Sequence, residues 1–106
     1  MVVAAPAGSA PDEPAGGART ARCTIVNSRG LHARAAAKLV RLAATFSAEV
    51  IVERDGARVP ATSILGLMML AAGRGSELDM EAHGPDAGAA LDALVELIGR
   101  GFDESD

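Results

Sequence analysis

Between Arg22 and Phe102 the apolar residues recur with two different periods, and the switches between them lay out the elements. Cys23 and Ile25 alternate with Arg22, Thr24 and Val26, the period of two that a short strand requires. Asn27-Ser28-Arg29-Gly30 reads as a turn. Beyond it Ala36, Leu39, Val40 and Ala43 recur at spacings of three and four, which predicts a helix over about Ala33 to Thr45 with Arg34, Lys38 and Arg41 on its polar face. Val50 and Val52 alternate with Glu49 and Glu53 in a second strand. Asp55-Gly56 follows as a hairpin turn, since both residues tolerate positive φ, and Ala57 to Val59 return antiparallel before Pro60. Ser63 is a suitable N-cap for a short apolar helix that Gly73 and Gly75 should stop. Glu77, Asp79, Glu81 and His83 alternate with Leu78, Met80 and Ala82 in a fourth strand. After Gly84-Pro85, Asp86 is placed to cap a last helix with Ala87, Ala90, Leu91, Leu94, Leu97 and Ile98 as its stripe.

The order β-α-β-β-α-β-α, with strands wet on one face, predicts an α+β two-layer sandwich: a four-stranded antiparallel sheet covered on one side by three helices. Residues 1 to about 20 hold three of the five prolines with several glycines and alanines, and read as a disordered tail. The domain is then 21–102, followed by a short acidic end, 103–106.

Composition narrows the function. The 106 residues suit one domain with one site. Only Phe46 and Phe102 are aromatic, and 14 acidic residues outnumber 10 basic ones, so the chain lacks the stacking faces and basic groove of a nucleic-acid binder. Cys23 stands alone, which excludes an intrachain disulfide and a zinc site of paired cysteines. The longest strongly apolar run, Ile64 to Ala72, is too short for a transmembrane helix, and the N-terminal stretch is a poor secretory signal. A cytoplasmic, monomeric protein without metal or cofactor is expected.

His32 carries the candidate chemistry. It lies between a turn and the first helical residue, where the free N–H groups of Ala33 and Arg34 point outward and the peptide dipoles favour negative charge. That field also disfavours imidazolium, so a ring nitrogen keeps its lone pair and can attack phosphorus. The dianionic product would gain from the helix start and from Arg34 two residues on.

Gly30-Leu31-His32-Ala33-Arg34 resembles the active-site signature of HPr, the histidine-containing phosphocarrier of the bacterial sugar phosphotransferase system. Ser63-Ile64-Leu65-Gly66-Leu67-Met68 is similar to that family's regulatory-serine segment and lies at the expected distance. The resemblance covers about Arg22 to Phe102 and implies the β-α-β-β-α-β-α order. It further implies a phosphoryl carrier rather than a stand-alone catalyst. Enzyme I, charged from phosphoenolpyruvate, would phosphorylate His32 at Nδ1, and an enzyme IIA protein would take the group, with no magnesium in the relay. Arg34 matches the arginine that attends the phosphoryl group, and Ser63 the serine that an HPr kinase/phosphorylase modifies in some members. Ala35 replaces a frequent proline, and Thr62 a lysine found in some members. The apolar second helix offers Ile64, Leu67 and Met68 either for packing against the last helix or for partner docking. His83, on a wet strand face, receives no role. The rival reading is a regulatory interaction module of the same fold, in a nitrogen-related branch or under Ser63 control, for which His32 would be dispensable.

Overall fold

In the computed structural model the described residues are 18–104. They form β1 (Arg19–Thr24), α1 (Ala33–Ala43), β2 (Glu49–Arg54), β3 (Ala57–Pro60), α2 (Ile64–Met69), β4 (Glu77–His83) and α3 (Ala87–Gly99), then a 3-10 turn at Gly101–Asp103. The strands lie in the order β1-β4-β2-β3, and every neighbouring pair is antiparallel. Met80 of β4 faces Ala21 on one side and Val52 on the other, so the dry residues share one face. Against that face pack Ala35, Ala36 and Leu39 of α1 and Leu91, Leu94 and Ile98 of α3, all buried. The opposite face is a lattice of cross-strand charges: Arg22 pairs with Asp79, Arg58 with Glu53 and Glu81, and His83 with Glu81. A shallow groove on that face, lined in part by Arg22, Ile51, Arg58 and Glu81, lies on the layer away from α1 and has no part in the site described below.

The two-layer fold and its element order are as the hydrophobic periods predict, and Asp55 (φ 51) and Gly56 (φ 86) turn the hairpin with positive φ at both positions. Four local expectations need correction. Strand β1 begins at Arg19, so residues 19 and 20 belong to the sheet rather than to a tail; the rest of the disordered-tail reading, residues 1–17, lies outside the described residues. Helix α1 ends at Ala43, where the Thr45 N–H turns back to the Leu42 carbonyl. Asp86 makes no side-chain cap on α3; its carboxylate accepts from the Ser47 N–H at 2.7 Å and ties the α1–β2 connection to the β4–α3 corner.

The fourth correction concerns α2, which stops at Met69 before either glycine. The N–H groups of Leu70 and Ala71 close the helix on the Leu67 and Met68 carbonyls, and Arg54 at the end of β2 holds the chain just past it, donating to the Leu70 carbonyl at 2.9 Å and the Ala71 carbonyl at 3.4 Å. Ala71 then takes the left-handed conformation (φ 52) that a glycine would adopt with less strain. Ser63 caps the other end as expected, its Oγ accepting from the Gly66 N–H at 2.9 Å.

Candidate functional site

Gly30 sets the entry to α1. Its φ of +67 reverses the chain after the Asn27–Arg29 turn, and a Cβ there would stand 2.6 Å from the Ala72 carbonyl oxygen. That same oxygen accepts from the Leu31 N–H at 2.9 Å, so the residue before His32 is tied to the segment leaving α2. His32 follows as the N-cap of α1, extended at φ −79 and ψ 178. Its carbonyl accepts from the Ala36 N–H at 2.8 Å, which leaves the N–H groups of Ala33, Arg34 and Ala35 without an intrahelical acceptor. The His32 side chain makes no cap bond, and the first turn contains no acidic residue, so an anion at this helix start meets free backbone donors and no acidic side chain from the helix itself.

The imidazole is four-fifths covered, because the chain folds back over it after α3. Gly101, Phe102 and Asp103 have successive left-handed φ values of 67, 57 and 59. Each non-glycine residue in this conformation costs about 1–2 kcal/mol, so something must hold the turn. Phe102 is fully buried, Lys38 of α1 donates to its carbonyl at 2.6 Å, and Arg100 pairs with Asp103. The turn delivers Glu104, whose Oε2 meets His32 Nε2 and whose Oε1 accepts from Asn27 Nδ2 at 3.0 Å. Asn27 Nδ2 also donates to the Gly30 carbonyl at 2.8 Å. Asn27 is buried, and its Oδ1 has no partner among the described residues. An unpaired buried acceptor costs roughly 1–3 kcal/mol, so the two donor bonds fix this amide in place.

Burial pushes the Glu104 carboxyl up, but the hydrogen bonds from Asn27 and His32 and the charges of His32 and Arg29 outweigh it and hold the group below the usual glutamate value. It is therefore a carboxylate at neutral pH and has no proton to give. The contact with His32 requires the proton on Nε2, which leaves the Nδ1 lone pair of the neutral ring free. This arrangement can carry out nucleophilic attack on an electrophile that is itself anionic. Among the described residues no three His, Cys, Asp or Glu side chains are grouped to hold a metal, and no helix is long and apolar enough to cross a membrane.

The family model for the PTS HPr component phosphorylation site matches residues 19–100. The chain belongs to the HPr family. Over 83 residues it is 52% identical to phosphocarrier protein HPr of Cupriavidus necator, covering 78% of this chain and 93% of that protein. It is 46% identical to phosphocarrier protein NPr of Shewanella violacea over 77% of this chain and 90% of that one. HPr from Thermoanaerobacter tengcongensis superposes with a TM-score of 0.79 at 40% identity, over 83% of this chain and 99% of the other. The general role of a phosphotransferase-system phosphocarrier comes with the family.

Of the residues singled out from the HPr resemblance, the fold gathers His32, Ala33 and Arg34 at one helix start, and Arg34 is exposed with no ion pair among the described residues. Ser63 caps the separate helix α2. Leu67 is corrected as a docking residue: it is fully buried, because it points from α2 into the core beneath α1. The exposed apolar surface of α2 is Ile64 (40%), Leu65 (68%), Met68 (40%) and Met69 (75%). Asn27 and Glu104 went unnoticed in the sequence. Asn27 looked like an ordinary turn residue, and Glu104 sat in an acidic end without a pattern.

Proposed function

We propose that His32 takes a phosphoryl group on Nδ1 from phosphorylated enzyme I and hands it to an enzyme IIA protein in the cytoplasm. The single observation behind this reading is the placement of the His32 ring, with Nε2 committed to Glu104, at a helix start whose N–H donors are unpaired. The Nδ1 lone pair attacks phosphorus, and the transferred group, carrying its negative charge, sits against the backbone N–H groups of Ala33 and Arg34 with the Arg34 guanidinium free to pair with it. Docking falls on Ile64 and Met68, joined by Leu65 and Met69 in place of Leu67, since methionine-rich apolar surfaces adapt to different partners.

The test is incubation with phosphoenolpyruvate and enzyme I. An acid-labile mass gain of one phosphoryl group is expected, absent from His32→Ala. Phosphorylation of His32→Ala at wild-type rate would overturn the reading.

Ser63 phosphorylation, by an HPr kinase/phosphorylase, regulates docking in this proposal. A dianion beside the exposed Ile64 and Met68 must be desolvated when a partner covers them, so affinity for enzyme I should fall. Ser63→Asp and Ser63→Ala, compared in enzyme I-dependent phosphorylation of His32, separate this from capping alone. Equal rates would leave Ser63 as a helix cap.

Similarity to proteins named NPr, at 46% and 42% identity, supports a second reading with the same chemistry in a regulatory branch rather than sugar uptake. Offering the phosphorylated protein to enzyme IIA proteins of both kinds and measuring transfer rates distinguishes the two.

A further inference from the structure

The turn that carries Glu104 is held from several sides. Three consecutive left-handed residues, the buried Phe102 ring and the Lys38 bond to the Phe102 carbonyl all aim one carboxylate at His32. Asn27, buried beneath the loop, spends one amide proton on that carboxylate and the other on the Gly30 carbonyl.

We propose that Glu104 is a positioning residue for phosphoryl transfer: it keeps the proton on His32 Nε2 through the whole cycle and balances the ring's charge while Nδ1 carries the phosphoryl group. The inference rests on His32 being the acceptor. In loading, the Nδ1 lone pair forms the N–P bond as the donor's bond to phosphorus breaks, and that bond's electron pair leaves with the donor. The ring, still protonated on Nε2, becomes a phosphoimidazolium beside the Glu104 carboxylate. In unloading, an acceptor lone pair forms the new bond to phosphorus and the N–P electron pair returns to Nδ1. Neutral imidazole departs with Nε2–H still bonded to Glu104. No proton enters or leaves the ring in either direction.

A ring that lost the Nε2 proton while phosphorylated would be a poorer leaving group, and an adjacent anion opposes that loss. The other charged groups facing the pair are Arg29 in the preceding turn, Arg34 and Lys38 of α1, and Asp103. Lys38 is occupied by the Phe102 carbonyl, Asp103 by Arg100, and Arg29 acts on Glu104 through its charge. Glu104 is the carboxylate that touches the ring.

The test compares wild type, Glu104→Gln and Glu104→Ala after loading His32 with phosphoramidate, a small phosphoryl donor that needs no partner protein. Phosphorus and nitrogen NMR follow deprotonation of the phosphorylated ring with pH. In both variants the midpoint should fall by about one pH unit or more, a tenfold loss of proton affinity. Enzyme I-dependent turnover should drop with KM little changed. Glu104→Gln, which keeps an acceptor for the Asn27 amide, should hold its thermal midpoint. An unchanged titration in Glu104→Gln overturns the proposal, even where the rate falls, and makes Glu104 a structural clasp. Loading by phosphoramidate but not by enzyme I would refute the relay while the titration still decides the role of Glu104. Loading by neither would overturn both.

Discussion

Replacing Gly30 with alanine tests whether the loop before His32 is shaped by the end of α2. Two effects act together. At φ +67 an alanine loses about 1–2 kcal/mol relative to glycine, partly offset by about 0.4–1 kcal/mol from a less flexible unfolded chain. The second effect is steric: the new Cβ would lie 2.6 Å from the Ala72 oxygen and 2.8 Å from the Gly73 Cα, both backbone atoms. Relief requires the two segments to separate, at an overpacking cost of about 1–3 kcal/mol. It also weakens the Leu31 N–H bond to the Ala72 carbonyl, worth about 1 kcal/mol. The sum is roughly 1–5 kcal/mol, at about 4–8 °C in thermal midpoint per kcal/mol for a domain of this size.

Gly56→Ala is the matched control. Its φ is +86, but a Cβ there meets nothing within 4 Å, so only the conformational loss of about 1 kcal/mol remains. Urea unfolding of both variants isolates the contact between loop and α2. If Gly30→Ala falls within about 0.5 kcal/mol of Gly56→Ala, the close approach does not constrain the loop, and the account of how His32 is positioned is wrong. The phosphorylation rate of His32 should also fall in Gly30→Ala and stay at the wild-type value in Gly56→Ala.

Arg34→Ala should slow enzyme I-dependent phosphorylation by about tenfold to a hundredfold, the range for one hydrogen bond to a charged group, while the backbone donors keep transfer above zero. A wild-type rate would make Arg34 a solvated side chain. Leu67→Ala, at a fully buried position, should destabilise the fold by about 2–5 kcal/mol in urea unfolding, whereas Leu65→Ala should leave stability within about 0.5 kcal/mol and weaken enzyme I binding in calorimetry. Burial, helped by the charge of Asp79, pushes the Cys23 thiol up to about 11, so thiol reagents at pH 8 should label it slowly until the protein is unfolded. Because the folded value is raised, the associated stability is present below pH 9 and is lost as pH rises toward about 11, a decline that Cys23→Ala should lack.

The strands, the helices and the histidine were legible because each is written locally. Alternation in Glu77 to His83 and the three-four spacing in Ala36 to Ala43 depend only on which face is buried. His32 was legible mainly because Gly30-Leu31-His32-Ala33-Arg34 resembles the HPr signature, with a turn on one side and a helix on the other in support. The misreadings share one physical cause: groups whose partners lie far along the chain. Asp86 has the residue type of a cap, yet the Ser47 N–H, 39 residues away, takes its carboxylate. The Gly73 stop signal is pre-empted by Arg54, which reaches from the end of β2 to the Leu70 and Ala71 carbonyls just past α2. Leu67 could not be told from Ile64 or Met68 in a helix apolar nearly all round, because nothing in its periodicity names the buried side. Glu104 is the extreme case, 72 residues from the histidine it contacts, and only the anchoring of Phe102 brings it there.

These distant partners also join two regions that the sequence presents as separate motifs. Helix α2 is capped by Ser63 and is followed by Leu70 and Ala71, whose carbonyls Arg54 holds. The left-handed Ala71 turns the next carbonyl, that of Ala72, toward the Leu31 N–H, one residue before His32. Gly30 is needed because that carbonyl fills the space its Cβ would occupy. A shift of α2 along its axis would therefore be felt at Leu31 through a direct backbone bond, without passing through the core. On the other side, Asn27 binds the Gly30 carbonyl and the Glu104 carboxylate together, so the same loop also holds the group that orients the His32 ring. The loop from Asn27 to His32 is thus fixed by backbone contacts to α2 and by polar contacts to the C-terminal turn. Alanine replaces the frequent family proline at position 35, the third residue of α1, so the first turn lacks a ring that would fix φ there, and the two tethers act on the residues just before that turn.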